Sequence, residues 1–309
     1  MPIPLSYSKA RYFYNTNGPS MNAKTGWIEG CPTQYLLAGD WHDFPVRFRW
    51  QSGLWLELFD KHADYVVSEI QRAKLSGKFI LYLSCPVSSA GGGHSRTNIE
   101  IATFAAHNLI KKIGSRFWIL NPGLYQLQSR EGFNLLKTHA HILGLEKGLG
   151  KEIDLIALQK ESPVTGGDYM RFWSRVLVED GDNNLGGRFD AYYFVGPSDT
   201  HGFFTNHGAT TVTDGIENYF ARKLATNQEF REYFQNDSVE EKFFKYYSLK
   251  AGAHFSLGSH DEYAIWETLN RIRLTDRGIT AQIPGYFDGR QIGFGLAESK
   301  TAQGYSLPE

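Results

Sequence analysis

Residues 78 to 113 read KFILYLSCPVSSAGGGHSRTNIEIATFAAHNLIKKI. The apolar run after Lys78 is short enough for a buried strand, and it ends in a loop with three consecutive glycines. Beyond the loop, apolar residues recur at the spacing of one buried helix face, so we expect a helix to begin near Ser95 or Thr97 and to reach Ile113. This order of strand, glycine loop and helix predicts that the N-terminus of the helix points toward any ligand that the glycine loop binds.

The glycine loop and the open end of this helix predict an anion site. Unpaired backbone N–H groups, the helix dipole and nearby polar side chains together favour a phosphate or a carboxylate. The loop lacks the Lys of a Walker loop and the spaced glycines of a dinucleotide fingerprint, so a plain flexible turn is the alternative. The residues expected around the anion are Ser84, Gly91, Gly92, Gly93, His94, Ser95 and Arg96.

The composition is typical of a globular protein with a sizeable core. The chain has 309 residues, of which 41% are hydrophobic and 15% aromatic, and this length suits one elaborated domain or two small ones. A formal net charge of -1 gives no field for steering a nucleic acid polymer, so a charged ligand needs a local pocket. Two cysteines are too few for a disulfide framework. Without a signal-peptide core or a membrane span, we expect a cytoplasmic protein that needs no cofactor.

Residues 1 to 77 predict an extension that packs on the main domain. Segments 35 to 41 and 45 to 50 have the pattern of two strands joined by a short polar turn, and segment 53 to 75 has that of an amphipathic helix. Aromatic residues crowd this region. We expect these aromatic side chains to pack onto the main sheet. The alternative is that one of them forms a lid that stacks on a bound nucleobase.

Residues 78 to 290 predict an α/β domain, interrupted by a helical insertion at about 198 to 250 and followed by a tail from 291 to 309. A strand, helix and strand joined by a connection of this length form a parallel unit. The expected fold class is α/β, with a doubly wound, Rossmann-like or flavodoxin-like parallel sheet flanked by helices. Its strands should span residues 79 to 83, 117 to 121, 189 to 195 and 279 to 283.

Three acidic residues stand at positions where they could either cap a helix or shape a turn, or take part in catalysis or ligand binding. Asp168 is placed to cap a helix, and Glu262 falls in the first turn of another helix, after a tight Ser-Leu-Gly loop at residues 256 to 258. Both are also ordinary residues for a helix start. Asp199 follows a strand, where ligands bind in open parallel sheets, but an Asp there also shapes turns.

The blocks ILYLSCPVSSAGGGHSR, GGDYMRFW before FDAYYFV, and SLGSHDE together resemble the nucleoside 2-deoxyribosyltransferase family, and within it the nucleoside 5′-monophosphate N-glycosidases. The resemblance implies a nucleotide or nucleoside substrate and a homodimer in which each active site borrows residues from the neighbour. The N-terminal extension and the long interval before the Ser-Leu-Gly loop depart from the family pattern. These departures leave the identity of the substrate open.

The resemblance also implies a role for each matching residue. Glu262 matches the nucleophile of the family, and Asp168 matches its Asp near the base and sugar. Tyr82 matches the strand tyrosine, while Ser256 and Gly258 belong to the loop that helps to hold the phosphate. Residues 91 to 96 match the anion-binding loop of the family. The three glycines and the helix that follows them predict the same role.

The chemistry of N-glycosidic bonds fits two acidic groups. A carboxylate stabilises positive charge at the anomeric carbon or forms a glycosyl intermediate, and a second acid protonates the leaving base. Hydrolysis and transfer use the same pair. A sensor that binds a nucleotide-derived ligand without chemistry is the alternative, since it needs the loop but not Glu262. A metal site from His94, His254, His260 and Asp261 lacks the spacing of a known motif.

Overall fold

The computed structural model describes residues 20–22, 26–87, 90–149, 152–181, 183–206, 208–253 and 257–293. In chain order the strands are β1 (Ser20–Asn22), β2 (Trp27–Gly30), β3 (Gln34–Leu37), β4 (Asp40–Asp43), β5 (Phe48–Gln51), β6 (Phe79–Ser84), β7 (Phe117–Leu120), β8 (Ala191–Phe194), β9 (Gly285–Phe287) and β10 (Arg290–Gln291). The helices are α1 (Leu54–Leu75), α2 (Ser95–Ile113), α3 (Arg130–Glu146), α4 (Leu155–Glu161), α5 (Gly166–Val178), α6 (Pro197–Thr205), α7 (Val212–Thr226), α8 (Gln228–Tyr233), α9 (Asp237–Ala253) and α10 (Leu257–Arg277).

A central sheet collects strands from distant parts of the chain in the order β10, β9, β8, β6, β7. Strands β6 to β9 run parallel to their neighbours, and β10 runs antiparallel to β9. Tyr82 of β6 lies opposite Leu120 on one side and Tyr192 on the other. The C-terminal ends of the parallel strands therefore meet at one edge. The predicted α/β class, with a mostly parallel sheet flanked by helices, is confirmed.

Helices cover both faces of this sheet because successive residues of β6 point to opposite sides. Ile80 and Tyr82 lie in one buried core, to which α1, α3, α5 and α10 contribute. Leu81 and Leu83 lie in a second core, to which α2, α6, α7 and α9 contribute. Burial on both faces explains why the run in β6 is apolar throughout rather than alternating.

The described part of the N-terminal segment packs into the first of these cores. The buried face of α1 joins the same core as Ile80. Strand β5 approaches the start of α5 so closely that a Cβ on Gly167 would lie 1.9 Å from the carbonyl oxygen of Arg49. The backbone N–H of Gln51 also donates a hydrogen bond of 2.7 Å to Asp168. The segment is therefore fixed to α5 by polar contacts as well as by apolar burial.

The predicted strand pair at residues 35 to 41 and 45 to 50 is wrong. The first stretch folds back on itself as the hairpin of β3 and β4, in which Leu37 pairs with Asp40. The two loop residues, Ala38 and Gly39, both have positive φ, as tight hairpins require. Strand β5 instead pairs with β2 in a separate three-stranded sheet.

The predicted fourth strand at residues 279 to 283 is also misplaced. Residues Ile279–Ala281 form a 3₁₀ turn, and the strand is β9, which starts at Gly285. Side chains of α10 use the backbone of Ile283: Asn270 accepts from its N–H at 2.6 Å, and Trp266 donates to its carbonyl oxygen at 2.8 Å. These bonds occupy the backbone groups that a sheet ladder would need.

Two helices begin before the residues that the sequence suggested. Helix α5 is capped by Thr165, so Asp168 is its third residue and closes a capping box rather than acting as the N-cap. Helix α10 begins at Leu257 and includes Gly258, which we had expected in a loop. Glu262 consequently lies in the second turn of α10, not in the first, where the helix dipole acts most strongly.

The glycine loop forms a turn that is packed tightly against α9. Gly91 and Gly92 have φ of 73° and 105°, in the left-handed region that favours glycine. A Cβ on Gly92 would lie 2.7 Å from the carbonyl oxygen of Lys242. The close approach of α9 therefore accounts for the glycine at position 92.

Gly92→Ala should destabilise the protein more than Gly114→Ala. Both glycines have positive φ, of 105° and 86°, so both substitutions strain the backbone, but a Cβ on Gly114 would meet nothing within 4 Å. In urea unfolding we expect a loss of about 1 to 3 kcal/mol for Gly114→Ala, since its φ of 86° and ψ of 176° lie in a region that is essentially restricted to glycine, and a larger loss for Gly92→Ala. Equal losses would show that α9 does not constrain the turn.

Candidate active site around Glu262

The centre of the candidate site is the buried carboxyl group of Glu262 on α10. The side-chain hydroxyl of Tyr82 donates a 2.7 Å hydrogen bond to Oε1, and the hydroxyl of Ser84 donates a short one to Oε2. Tyr82 and Ser84 are two residues apart on β6, so they point to the same face of the sheet. The end of the central strand thus supplies both partners of one carboxyl group that is only 4% exposed.

Burial controls the charge of this carboxyl. It raises the pKa of Glu262 to about 8, although the hydrogen bonds from Ser84 and Tyr82 act in the opposite direction. The neighbouring carboxylate of Asp261 raises it further. Glu262 is therefore mostly protonated at neutral pH, because desolvation outweighs a helix dipole that acts mainly in the first turn.

A buried cation lies on the other side of the same strand end. Lys250 of α9 is 3% exposed, and burial lowers the pKa of its amine to about 7. The thiol of Cys85, just after β6, is influenced by both charges: after burial, Glu262 raises its pKa and Lys250 lowers it.

The sequence reasoning missed Lys250, although a signal was present. Phe243, Tyr247 and Lys250 follow one another at helical spacing, and all three are buried. A lysine that continues an apolar stripe is an exception to the usual rule that lysines are exposed. The pattern therefore could have marked Lys250 as a residue that needs a specific partner.

The carboxyl group of Asp168 is fully engaged in structural hydrogen bonds. Oδ1 accepts from the backbone N–H of Gln51, and Oδ2 accepts from Gln51 Nε2 at 3.1 Å and from the N–H and hydroxyl of Thr165. No hydrogen bond joins Asp168 to Glu262 in the described residues. The structure therefore gives Asp168 a clear capping and docking role and does not bring the two carboxyl groups into contact.

Asp199 is engaged in a similar way at the start of α6. Its carboxyl accepts hydrogen bonds from the backbone N–H of Gly196 and from the hydroxyl of Tyr193, both at 3.0 Å. Burial raises its pKa. These contacts make Asp199 a capping residue that shapes the turn after β8, which was one of the two interpretations of its position.

The polar residues after the glycine turn are occupied by protein partners. The ring of His94 caps α2 by accepting from the N–H of Thr97, and it lies against the rings of Phe230, Tyr233 and Phe234. Burial lowers the pKa of His94 to about 4, so its ring is neutral at pH 7. Ser95 is the first, half-buried residue of α2.

The guanidinium group of Arg96 is paired with a carboxylate from α8. Its guanidinium forms an ion pair with Glu229 at 2.5 Å, and both side chains are largely exposed. An exposed pair of this kind contributes little stability and is screened by salt. Of the residues expected around the anion, only Ser84 contacts Glu262; Ser256, from the Ser-Leu-Gly loop, lies outside the described residues.

The described residues contain no metal cluster and no membrane-spanning helix. No three His, Cys, Asp or Glu side chains among them are grouped so that they would hold a metal ion. Over the same part of the chain, every helix is too short or too polar to cross a bilayer.

Comparisons of this chain with protein-family models, with curated proteins and with solved structures found no match. The resemblance to the nucleoside 2-deoxyribosyltransferase family therefore rests on the three sequence blocks. The geometry around Glu262 provides a separate line of argument, since it depends on no relative.

Glu262→Gln should stabilise the protein increasingly as pH rises from 5 to 8. The folded protein holds the Glu262 proton up to about pH 8, whereas a free carboxyl loses it near 4.5. The folded state therefore binds the extra proton between these values, and the wild type loses stability as pH rises through this window. Gln has no proton to lose.

The measurement is the difference in Tm between Glu262→Gln and wild type at pH 5, 6, 7 and 8. Glu267→Gln, on the exposed side of α10, is the matched control and should show no such trend. A constant difference for Glu262→Gln would show that this carboxyl is ionised in the folded protein at pH 5.

Proposed function

We propose that the protein cleaves the N-glycosidic bond of a nucleoside or a nucleoside 5′-monophosphate, with Glu262 as the group that meets the anomeric carbon. The observation that carries the proposal is the buried carboxyl of Glu262 between the hydroxyls of Tyr82 and Ser84. Bond cleavage creates positive character on the sugar, and a carboxylate in a low-dielectric site stabilises such charge strongly.

The position of this group in the fold supports the proposal. The chain runs from β6 to β7 on one side of it, and strand β8, which follows β7 in the chain, lies on the other side of β6. In a doubly wound sheet, ligands bind in the crevice that opens at such a point, outside the carboxyl ends of the strands. Tyr82 and Ser84 stand at this end of β6. The doubly wound arrangement is part of this proposal.

The proton on Glu262 has a defined place in the reaction. Glu262 first releases this proton to solvent. A carboxylate oxygen then forms a bond to the anomeric carbon as the bond from that carbon to the base nitrogen breaks, and the electron pair of the broken bond leaves with the nitrogen. The base takes up a proton from an acid as it departs. Tyr82 and Ser84 remain donors to the ionised carboxylate, so they stabilise the attacking form.

Asp168 is the proposed second acid, as the family resemblance implies. To reach a leaving base, its carboxyl would have to release one of its bonds to Gln51 or Thr165. A water molecule would complete the reaction as a hydrolysis, and a second base would complete it as a transfer.

The proposal is tested by incubating the protein with nucleosides and nucleoside 5′-monophosphates and detecting free base by chromatography. Glu262→Gln should lower kcat by several orders of magnitude while it retains ligand binding, because the amide cannot attack carbon. Calorimetric titration of the same ligand measures the binding. A wild type that binds nucleotides but releases no base would favour a sensor, and full turnover by Glu262→Gln would assign the chemistry to another group.

Tyr82→Phe should shift the pH dependence of base release to higher pH. The hydrogen bond from Tyr82 lowers the pKa of Glu262, so its loss should raise that pKa above about 8. If ionised Glu262 is the nucleophile, kcat/KM rises with pH until Glu262 is deprotonated, and this rising limb should move with the substitution. Tyr65→Phe, on α1, is the control. A limb that falls with pH instead would make Glu262 a proton donor.

A further inference from the structure

Lys250 is buried without a matching anion. Its ammonium nitrogen lies 3.5 Å from the hydroxyl oxygen of Tyr246 and 5.3 Å from the centre of the Tyr246 ring. Among the described residues, no carboxylate oxygen lies within 4 Å of this nitrogen. A phenol and a ring face compensate a buried charge only in part.

The protein responds to this burial by favouring the neutral amine. The pKa of Lys250 falls to about 7 because burial penalises the charged form. An anion placed beside the nitrogen would reverse the balance, since opposite charge in a low-dielectric region favours the ammonium. Binding of such an anion would therefore be accompanied by uptake of a proton.

The surroundings of Lys250 connect it to the candidate site. The same helix carries Tyr246, whose ring lies 3.8 Å from the position of a Cβ on Gly91, and Lys242, whose backbone contacts Gly92. Lys250 and Glu262 both act on the pKa of Cys85 at the end of β6. Tyr246, which contacts the amine of Lys250, thus also packs on the glycine turn, and the amine is close enough to the end of β6 to affect the pKa of Cys85.

The cations expected from the sequence are less suited to an anion in this region. Arg96 is exposed and paired with Glu229, and the ring of His94 is neutral and enclosed by aromatic side chains. Lys250 is buried and has no carboxylate partner among the described residues, so an anion could pair with it without breaking an ion pair or a helix cap.

We propose that Lys250 binds the anionic group of the substrate, a phosphate monoester, beside the turn at Ala90–Gly92. Lys250 then selects phosphorylated substrates over free nucleosides, and the 5′-phosphate holds the anomeric carbon at a fixed distance from Glu262. The identity of the substrate rests on the proposed function, whereas the anion site itself does not.

Other titratable groups near α9 are committed to partners of their own. From α6, Asp199 bonds to Tyr193, and from α7, Tyr219 bonds to Glu100. On α9 itself, Tyr247 donates to Asn98, and the burial of both Tyr219 and Tyr247 raises their pKa values. Among the described residues, Cys85 at the strand end also raises the pKa of Lys250, and burial raises the pKa of its own thiol.

The test is titration calorimetry with sulfate at pH 8, carried out in two buffers of different ionisation enthalpy. Sulfate stays fully ionised, so any proton taken up enters the protein. With an amine that titrates near pH 7, we expect uptake of close to one proton per sulfate. Lys250→Met should weaken sulfate binding by about 10- to 100-fold and abolish the uptake.

Two further variants make the assignment specific. Lys250→Arg keeps a permanent charge, so it should bind sulfate without proton uptake. Lys245→Met removes an exposed lysine five residues earlier on α9 and should match the wild type in both binding and uptake. Lys250→Met should also have a raised Tm at pH 6, because it removes a buried charge, and this confirms that the variant is folded.

Sulfate binding by the wild type without proton uptake would overturn the proposal. Loss of sulfate binding in Arg96→Ala but not in Lys250→Met would also overturn it.

The same titrations on Glu262→Gln separate this inference from the proposed function. Proton-linked binding at Lys250 without release of base from any nucleotide would contradict the glycosidase alone. Equal kcat/KM for nucleosides and their monophosphates, unchanged in Lys250→Met, would contradict the role of Lys250 alone.

Discussion

The structure around the site depends on one buried carboxyl group, that of Glu262, and on the two hydroxyls that reach it from β6. Removing a carboxyl from water is unfavourable, and the bonds from Tyr82 and Ser84 offset only part of the cost, as the raised pKa indicates. The alternation of side chains along a strand brings both hydroxyls to one face, and α10 packs across that face. The sheet thus supplies the polar contacts, and the helix supplies the acid.

Burial acts on the two ionisable groups of the site in opposite directions. It raises the pKa of Glu262 to about 8 and lowers that of Lys250 to about 7, so both groups are mostly neutral between these values. A low-dielectric region without charge is less costly to maintain than one with a separated ion pair. These two groups together therefore carry little charge at neutral pH.

Patterns of neighbouring residues in the sequence predicted the centre of the fold. They failed for elements whose position depends on contacts with residues far away in the chain. The strand at β6 and the helix α2 follow from a continuous apolar run, a glycine turn and a helical stripe. The misplaced strand before Gly285 could not be foreseen, because Asn270 and Trp266 take the backbone of Ile283 from another element. The hairpin after β3 needs a left-handed Ala38, which no propensity favours. The sequence predicts that Arg96 binds a phosphate. In the structure it pairs with Glu229, a residue far away in the chain, and this contact could not be predicted from the sequence around Arg96.

The bonds around Glu262 join residues that are far apart in the chain, with separations of 180 residues to Tyr82 and 178 to Ser84. At ribosomal rates of about 5 to 20 residues per second, β6 is made roughly 10 to 35 seconds before its acidic partner. During this interval, the strand that forms the middle of the sheet has two hydroxyls without their native acceptor and an unpaired edge where β8 will later add. The nascent chain is therefore most exposed to mispairing at the element around which the mature domain is built, and protection by a chaperone would matter most in this period.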